Sequence, residues 1–143
     1  MYNKILAAGI LPICTKTGRM LLVRRVIEKG NDWAMLGGKY DEGDKGPKDT
    51  AKREFFEESG FDGEYKISKE PFYVNKNTHI SFYTYIGLFN EEFVPCGEDY
   101  EREHADYGWF LLGEIPENLH PEIKELFAVK TQKIQEIINK FKS

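Results

Sequence analysis

Cysteine is scarce in this chain, and Cys14 and Cys96 stand far apart without forming a CxxC pair. They read as structural thiols of a reducing compartment. Long apolar runs are missing too, since nothing approaches the roughly 18 residues of a membrane span. The first twelve residues carry Lys4 and a short apolar stretch at 5–11, without the length or cleavage pattern of a signal peptide. A cytoplasmic protein is therefore expected. No basic stripe stands out and the formal net charge is −4, which argues against a surface that coats DNA or RNA. An acidic pocket that meets phosphate through metal ions stays compatible with that balance. Repeats, low-complexity tracts and linkers are also absent. What is there is 143 residues, 41% hydrophobic and 31% charged with both signs interspersed, which suits one globular domain over residues 1–143.

Apolar patterning predicts strands at 5–14 and 19–26, parted by the polar turn Thr15-Lys16-Thr17-Gly18. A short apolar segment follows at 33–36. Residues 37–46 hold four glycines among acidic side chains, the composition of a loop that turns sharply or closely approaches a ligand. A helix comes next, with Gly46 at its N-cap, Pro47 at its first position and Gly60 just past its end. Strand-like segments return at 65–67, 72–74, 80–88 and 109–112. The tail, 121–141, is an amphipathic helix with Ile123, Leu126, Phe127, Ile134, Ile137, Ile138 and Phe141 along one stripe. Strands interrupted by a central and a terminal helix predict an α/β sandwich around a mixed sheet.

The most informative segment is Arg53-Glu54-Phe55-Phe56-Glu57-Glu58-Ser59-Gly60-Phe61. At about 100° per helical residue, Glu54, Glu57 and Glu58 share one face. Phe55 and Phe56 are available to anchor the helix to a core. Like charges at these spacings each cost a few tenths of a kcal/mol, and the C-terminal end of the helix dipole disfavours them further. The arrangement therefore opposes the helix unless a divalent cation reverses the sign, because hard cations take several carboxylate oxygens. The bland reading is a solvated acidic face. The glycine-rich loop just upstream favours a loop-plus-carboxylate site for phosphate chemistry instead.

These residues resemble the signature of the Nudix hydrolase family: a glycine, five residues, Glu, seven residues, then Arg-Glu-apolar-x-Glu-Glu-x-Gly-apolar. Residues 53–61 match its second half at every specified position. Upstream, Trp33-Ala34-Met35-Leu36-Gly37-Gly38 resembles the family's Trp-x-x-Pro-Gly-Gly entry, with Leu36 where proline is common. Two departures stand out: Asp44 occupies the first Glu position, and eight residues instead of seven separate it from Arg53. In the family that first Glu mostly ties the loop to the helix, so the shorter Asp puts the loop geometry in question.

The resemblance implies an α/β/α sandwich with a mixed central sheet, a box loop and helix, and a C-terminal helix. It implies a magnesium-dependent pyrophosphohydrolase, with Mn²⁺ as the alternative ion. Glu57 and Glu58 would hold the metal, Glu54 would be a ligand or the base acting on water, and the Gly37 carbonyl would be a further ligand. Arg53 would orient the glutamates by ion pairing. The stretch Glu103-His104-Ala105-Asp106-Tyr107-Gly108-Trp109 lies in a second acidic cluster and resembles the Glu-His-x-x-Tyr-x-Trp run of the family's diadenosine-tetraphosphate hydrolases. Glu103 is accordingly the candidate for an additional ligand or the catalytic base, against the plain reading of a solvated charged loop.

Substrate candidates come from side-chain chemistry. Arg24 and Arg25 carry the guanidinium fork that suits phosphate oxygens, and as strand neighbours at most one faces a pocket. Tyr83 and Tyr85 share a strand face and could stack on a base, or simply be half-buried sheet residues. Lys76-Asn77-Thr78 carries neither the proline nor the tyrosine that marks the ADP-ribose and dinucleoside-polyphosphate subsets. Nucleoside triphosphates, dinucleoside polyphosphates, ADP-ribose and an RNA 5′-triphosphate end all stay open, with a lean toward the first two. A homodimer is left open. The competing classes are a catalytically silent nucleotide sensor of the same fold, which a lost box glutamate would favour, and an acidic interaction domain that binds no metal.

Overall fold

The computed structural model describes residues 5–77 and 79–142, so Lys4 and Thr78 lie outside the described residues. Strand β1 (Ile5–Cys14) runs parallel to β7 (Ile80–Phe89) in unbroken register from Ile5↔Ile80 to Cys14↔Phe89. These two ten-residue strands form the spine. Antiparallel partners flank them: β2 (Met20–Arg25) on β1, and β5 (Lys66–Ile67) and β6 (Tyr73–Lys76) on β7. One parallel pair among antiparallel ones makes the sheet mixed, as the patterning predicts.

The second edge of β1 is divided. Near its end it pairs with β2 at Ile13↔Met20, and near its start it pairs with β4 (Leu36–Lys39) from Ala7↔Lys39 to Ile10↔Leu36. Meanwhile β3 (Trp33–Ala34) and β8 (His104–Phe110) both pair with β2. The chain thus crosses from β2 to β1 at Met35. This corrects the expectation that 37–46 is loop throughout: ladder bonds to β1 hold residues 37–39 extended despite their weak strand propensity. The strand expected at 109–112 is also displaced. It begins at His104, directly after a short helix, α2 (Tyr100–Glu103), where the sequence had suggested a charged loop.

Helix α1 (Pro47–Ser59) covers one face of the sheet and α3 (Pro121–Phe141) the other. Alternation along β1 divides the core accordingly. Ala8 and Ile10 pack with Ala51 and Phe55 of α1, whereas Ala7, Leu11 and Ile13 pack with Ile123, Leu126 and Ile134 of α3. Phe55 sits among Phe61, Tyr65, Phe89 and Phe93 with ring centroids 5.4 to 6.4 Å away. Truncating so buried an aromatic costs about 3–5 kcal/mol, so Phe55 fixes the roll of α1 and hence the direction of its glutamates. Phe56 does not share that role: it is 54% exposed, because one residue step turns it about 100° away from the sheet. Phe141 likewise falls outside the core at the C-terminal end of α3. The left-handed Gly60, at φ 69°, ends α1 by donating its N–H to the Phe56 carbonyl. Among the described residues no helix is long and apolar enough to cross a membrane.

Candidate active site

A cavity of about 510 Å³ opens where β4, α1, the α2–β8 junction and the start of α3 meet. Glu54, Glu58 and Glu103 line one part of it, with the backbone of Gly37 and Gly38. The residues of α1 reach it because β4 passes beside the helix. The Gly37 N–H donates to Glu58 Oε2 at 3.0 Å, and a side chain at Gly38 would collide with the Glu54 carboxylate. A side chain at 38 would have to displace that carboxylate from its place beside β4.

Arg53 organises the box. Its Nε and Nη2 donate to the two carboxylate oxygens of Asp44, each at 3.0 Å, and Nη2 also donates to the Lys39 carbonyl at 2.9 Å. Nη1 donates to Glu54 at 3.0 Å and Glu57 at 3.2 Å. Asp44 further accepts from the Thr50 hydroxyl at 2.8 Å and from the Asp41 N–H at 3.0 Å. The Arg53 guanidinium holds the Asp44 carboxyl well below the usual carboxylate range. The shorter aspartate, with one extra residue in the loop, therefore still ties loop to helix.

The carboxylates facing the cavity are under electrostatic stress. Burial pushes Glu54 up, although Arg53 pulls it down. Glu58 is 2% exposed, and burial first, then the neighbouring Glu103, raises it well above an ordinary glutamate. Burial also works against the charge of Glu103, yet its hydrogen bond with Glu58 and the nearby Lys29, 3.5 Å away, hold it below its ordinary value. A proton shared between the two carboxyls would relieve that repulsion. Such crowding in a poorly solvated pocket fits a divalent cation, which would take the place of that proton.

Not every candidate from the sequence meets here. Glu57 points along the same face of α1 but is 39% exposed and does not line the cavity; Arg53 holds it. Of the two arginines, Arg25 lines the cavity, whereas Arg24 hydrogen-bonds Asn31 outside it at 2.6 Å. Tyr83 and Tyr85 do share a face, but it is the α1 face: Tyr85 is 4% exposed within that core, and neither lines the cavity. The alternate residues Ile80 and Phe82 line it instead. Alternation had identified the two faces of β7 without saying which one the cavity uses. Sequence reasoning also missed His120 and Glu122 at the start of α3, because a carboxylate in a first helical turn is ordinary there. Burial pushes Glu122 up to about 7, against the pull of Arg25.

The family model for the NUDIX domain matches residues 3–129. A search of curated proteins returned no match. Among solved structures, the chain is similar to the Nudix hydrolase RenU from M. smegmatis, with TM-score 0.72 and 22% identity over 98% of this chain and 89% of that one. It is similar to a C. elegans Ap4A hydrolase in a binary complex, with TM-score 0.71 and 18% identity over 92% and 98% of the two chains. A MutT/nudix family protein from Enterococcus faecalis aligns over 77% of this chain and 44% of its own, at TM-score 0.61 and 21% identity, so the chain spans less than half of that relative's length. The structural likenesses carry the fold, the domain match covers most of the sequence, and the box glutamates stand in place: the chain belongs to the Nudix hydrolase family.

Proposed function

We propose that this protein is a magnesium-dependent pyrophosphohydrolase that cleaves the diphosphate linkage of a nucleotide. The convergence of Glu54, Glu58 and Glu103 on one cavity beside the Gly37–Gly38 backbone carries this reading. Glu54, Glu58 and Glu103, with the Gly37 carbonyl, would hold the cation, and Glu57, which stands outside the cavity lining on the same face of α1, would reach it by a change of rotamer. Bound there, a divalent ion supplies a lowered water pKa and neutralises charge on the departing phosphate. Glu54 or Glu103 would hold the attacking water and accept its proton, since both carboxylates line the cavity beside Glu58. Arg53 keeps the glutamates in register, and Arg25 contacts phosphate oxygens at the cavity wall.

For the substrate, a nucleoside triphosphate or dinucleoside polyphosphate is favoured. The Glu-His-x-x-Tyr-x-Trp run at 103–109 supports this, and so does the fold likeness to an Ap4A hydrolase. The test is a panel of diphosphate compounds with Mg²⁺ and phosphate detection, on the wild type and on Glu57→Gln. Turnover abolished by the substitution supports the enzyme. Nucleotide binding without turnover across the panel would sink it in favour of a sensor.

A further inference from the structure

His104 is 7% exposed, and among the described residues its buried Nδ1 makes no hydrogen bond of good geometry, although the Tyr100 carbonyl lies close by. A buried imidazole nitrogen left this way forfeits the hydrogen bond that water would give it, so it calls for an explanation. Its surroundings supply one. A ring nitrogen of His104 and carboxylate oxygens of Glu58 and Glu103 lie within 4.8 Å of one another. That spacing is close to the about 4.2 Å that separates opposite ligands of a single ion at bonds near 2.1 Å.

Sequence neighbours in a regular strand point to opposite faces, so Glu103 and His104 should not share a site. Two local features let them. Glu103 is the last residue of α2 and His104 the first of β8. Immediately beyond, the β2–β8 register steps from Arg25↔His104 to Arg24↔Asp106, leaving Ala105 as an extra, bulged residue. A bulge at such a junction re-aims the side chain beside it. Tyr100 stacks on the imidazole at 5.3 Å and 29° and holds its plane.

We propose that His104 gives an imidazole nitrogen to a cation held with Glu58 and Glu103, so that this position prefers a transition ion such as Mn²⁺ to Mg²⁺. The inference rests on the reading of the cavity as a cation site. It adds that the site is divided: oxygen ligands around Glu54 and Glu57 suit Mg²⁺, while the Glu58–Glu103–His104 position has a nitrogen donor that Mg²⁺ uses poorly.

Mn²⁺ itself is the probe, followed by electron spin-echo spectroscopy on the full chain without substrate. The expected result is bound Mn²⁺ with a histidine ¹⁴N modulation that changes on ¹⁵N-histidine labelling. That signal should survive replacement of His79 and His120 by Gln and vanish in His104→Gln. Calorimetry should show Mn²⁺ affinity falling at least about tenfold in His104→Gln with Mg²⁺ affinity changed far less. Bound Mn²⁺ with no histidine modulation in the wild type overturns the inference and leaves the cation reading standing. Failure to bind Mn²⁺ or Mg²⁺ at all overturns both. Because the wild-type spectrum decides the first question, a variant that fails to fold does not shield the proposal.

Discussion

Two arginine–aspartate pairs bracket the site, and they differ instructively. Arg53 grips Asp44 through Nε and Nη2, and Arg25 grips Asp32 through the same two atoms at 2.6 and 3.1 Å. Both aspartates are held below their ordinary range: Asp44 by Arg53 directly, Asp32 because hydrogen bonds from Arg25 outweigh the penalty of burial. The local chemistry is the same and the surroundings are not. Arg53 has every donor engaged by Asp44, Lys39, Glu54 and Glu57. The Arg25 guanidinium has no hydrogen-bond partner besides Asp32 among the described residues, and it lines the cavity. A saturated guanidinium positions other side chains; one with donors left over can receive a ligand. The number of partners, more than the pair itself, separates the two roles.

The sharpest way to break this contrast is Arg53→Ala. It leaves Asp44 without its main partner and lets Glu54 and Glu57 swing. A displacement of about 1 Å at the reacting groups is enough to lower kcat by about 100-fold, with KM little changed in steady-state kinetics. A fall confined to KM would refute a positioning role. Arg25→Ala should do the reverse, raising KM by about 10- to 100-fold through loss of a charge-assisted hydrogen bond to phosphate. Arg25→Lys should recover part of that loss. Unchanged KM for every phosphorylated substrate would remove Arg25 from the binding surface.

How much of this was legible beforehand follows from the physics of each residue. The box was readable because three like charges on one helical face oppose the helix, and a pattern with a local cost points beyond local structure. The fold layers were readable from strand and helix periodicity. The partition between Arg25 and Arg24 was half readable: alternation guaranteed opposite faces, while the face that opens on the cavity depends on where β8 pairs with β2. Ile80 and Phe82 were hidden for the same reason. Asp44 looked like a weakened box residue, because one methylene less shortens its reach. The three-dimensional fork with Arg53 shows that the loop closes regardless. Glu122 gave no signal at all, since its raised pKa comes from tertiary burial.

A smaller effect sharpens the comparison through pH. Glu122 titrates near 7 when folded against an ordinary 4.5, so it binds its proton more tightly folded than unfolded. Its contribution to stability is present below about pH 4.5 and is lost as pH rises through about 7, amounting to about 2 kcal/mol after allowance for partial exposure. Denaturant midpoints of the wild type should decline relative to Glu122→Gln across that window. Arg25→Ala should steepen the decline by removing the opposing charge. Parallel curves for wild type and Glu122→Gln would mean the carboxyl is freely solvated. Smallest of all, Arg24→Ala should alter KM by less than about threefold, within the range of an exposed polar contact. A larger change would show that both arginines reach substrate.

The most direct measurement is turnover of a dinucleoside polyphosphate or nucleoside triphosphate in ¹⁸O-water, with Mg²⁺ and again with a chelator. The account predicts that cleavage stops under chelation, resumes when Mg²⁺ is restored, and places the label on a product phosphate. Undiminished cleavage without divalent metal, or label found only on carbon, would contradict it.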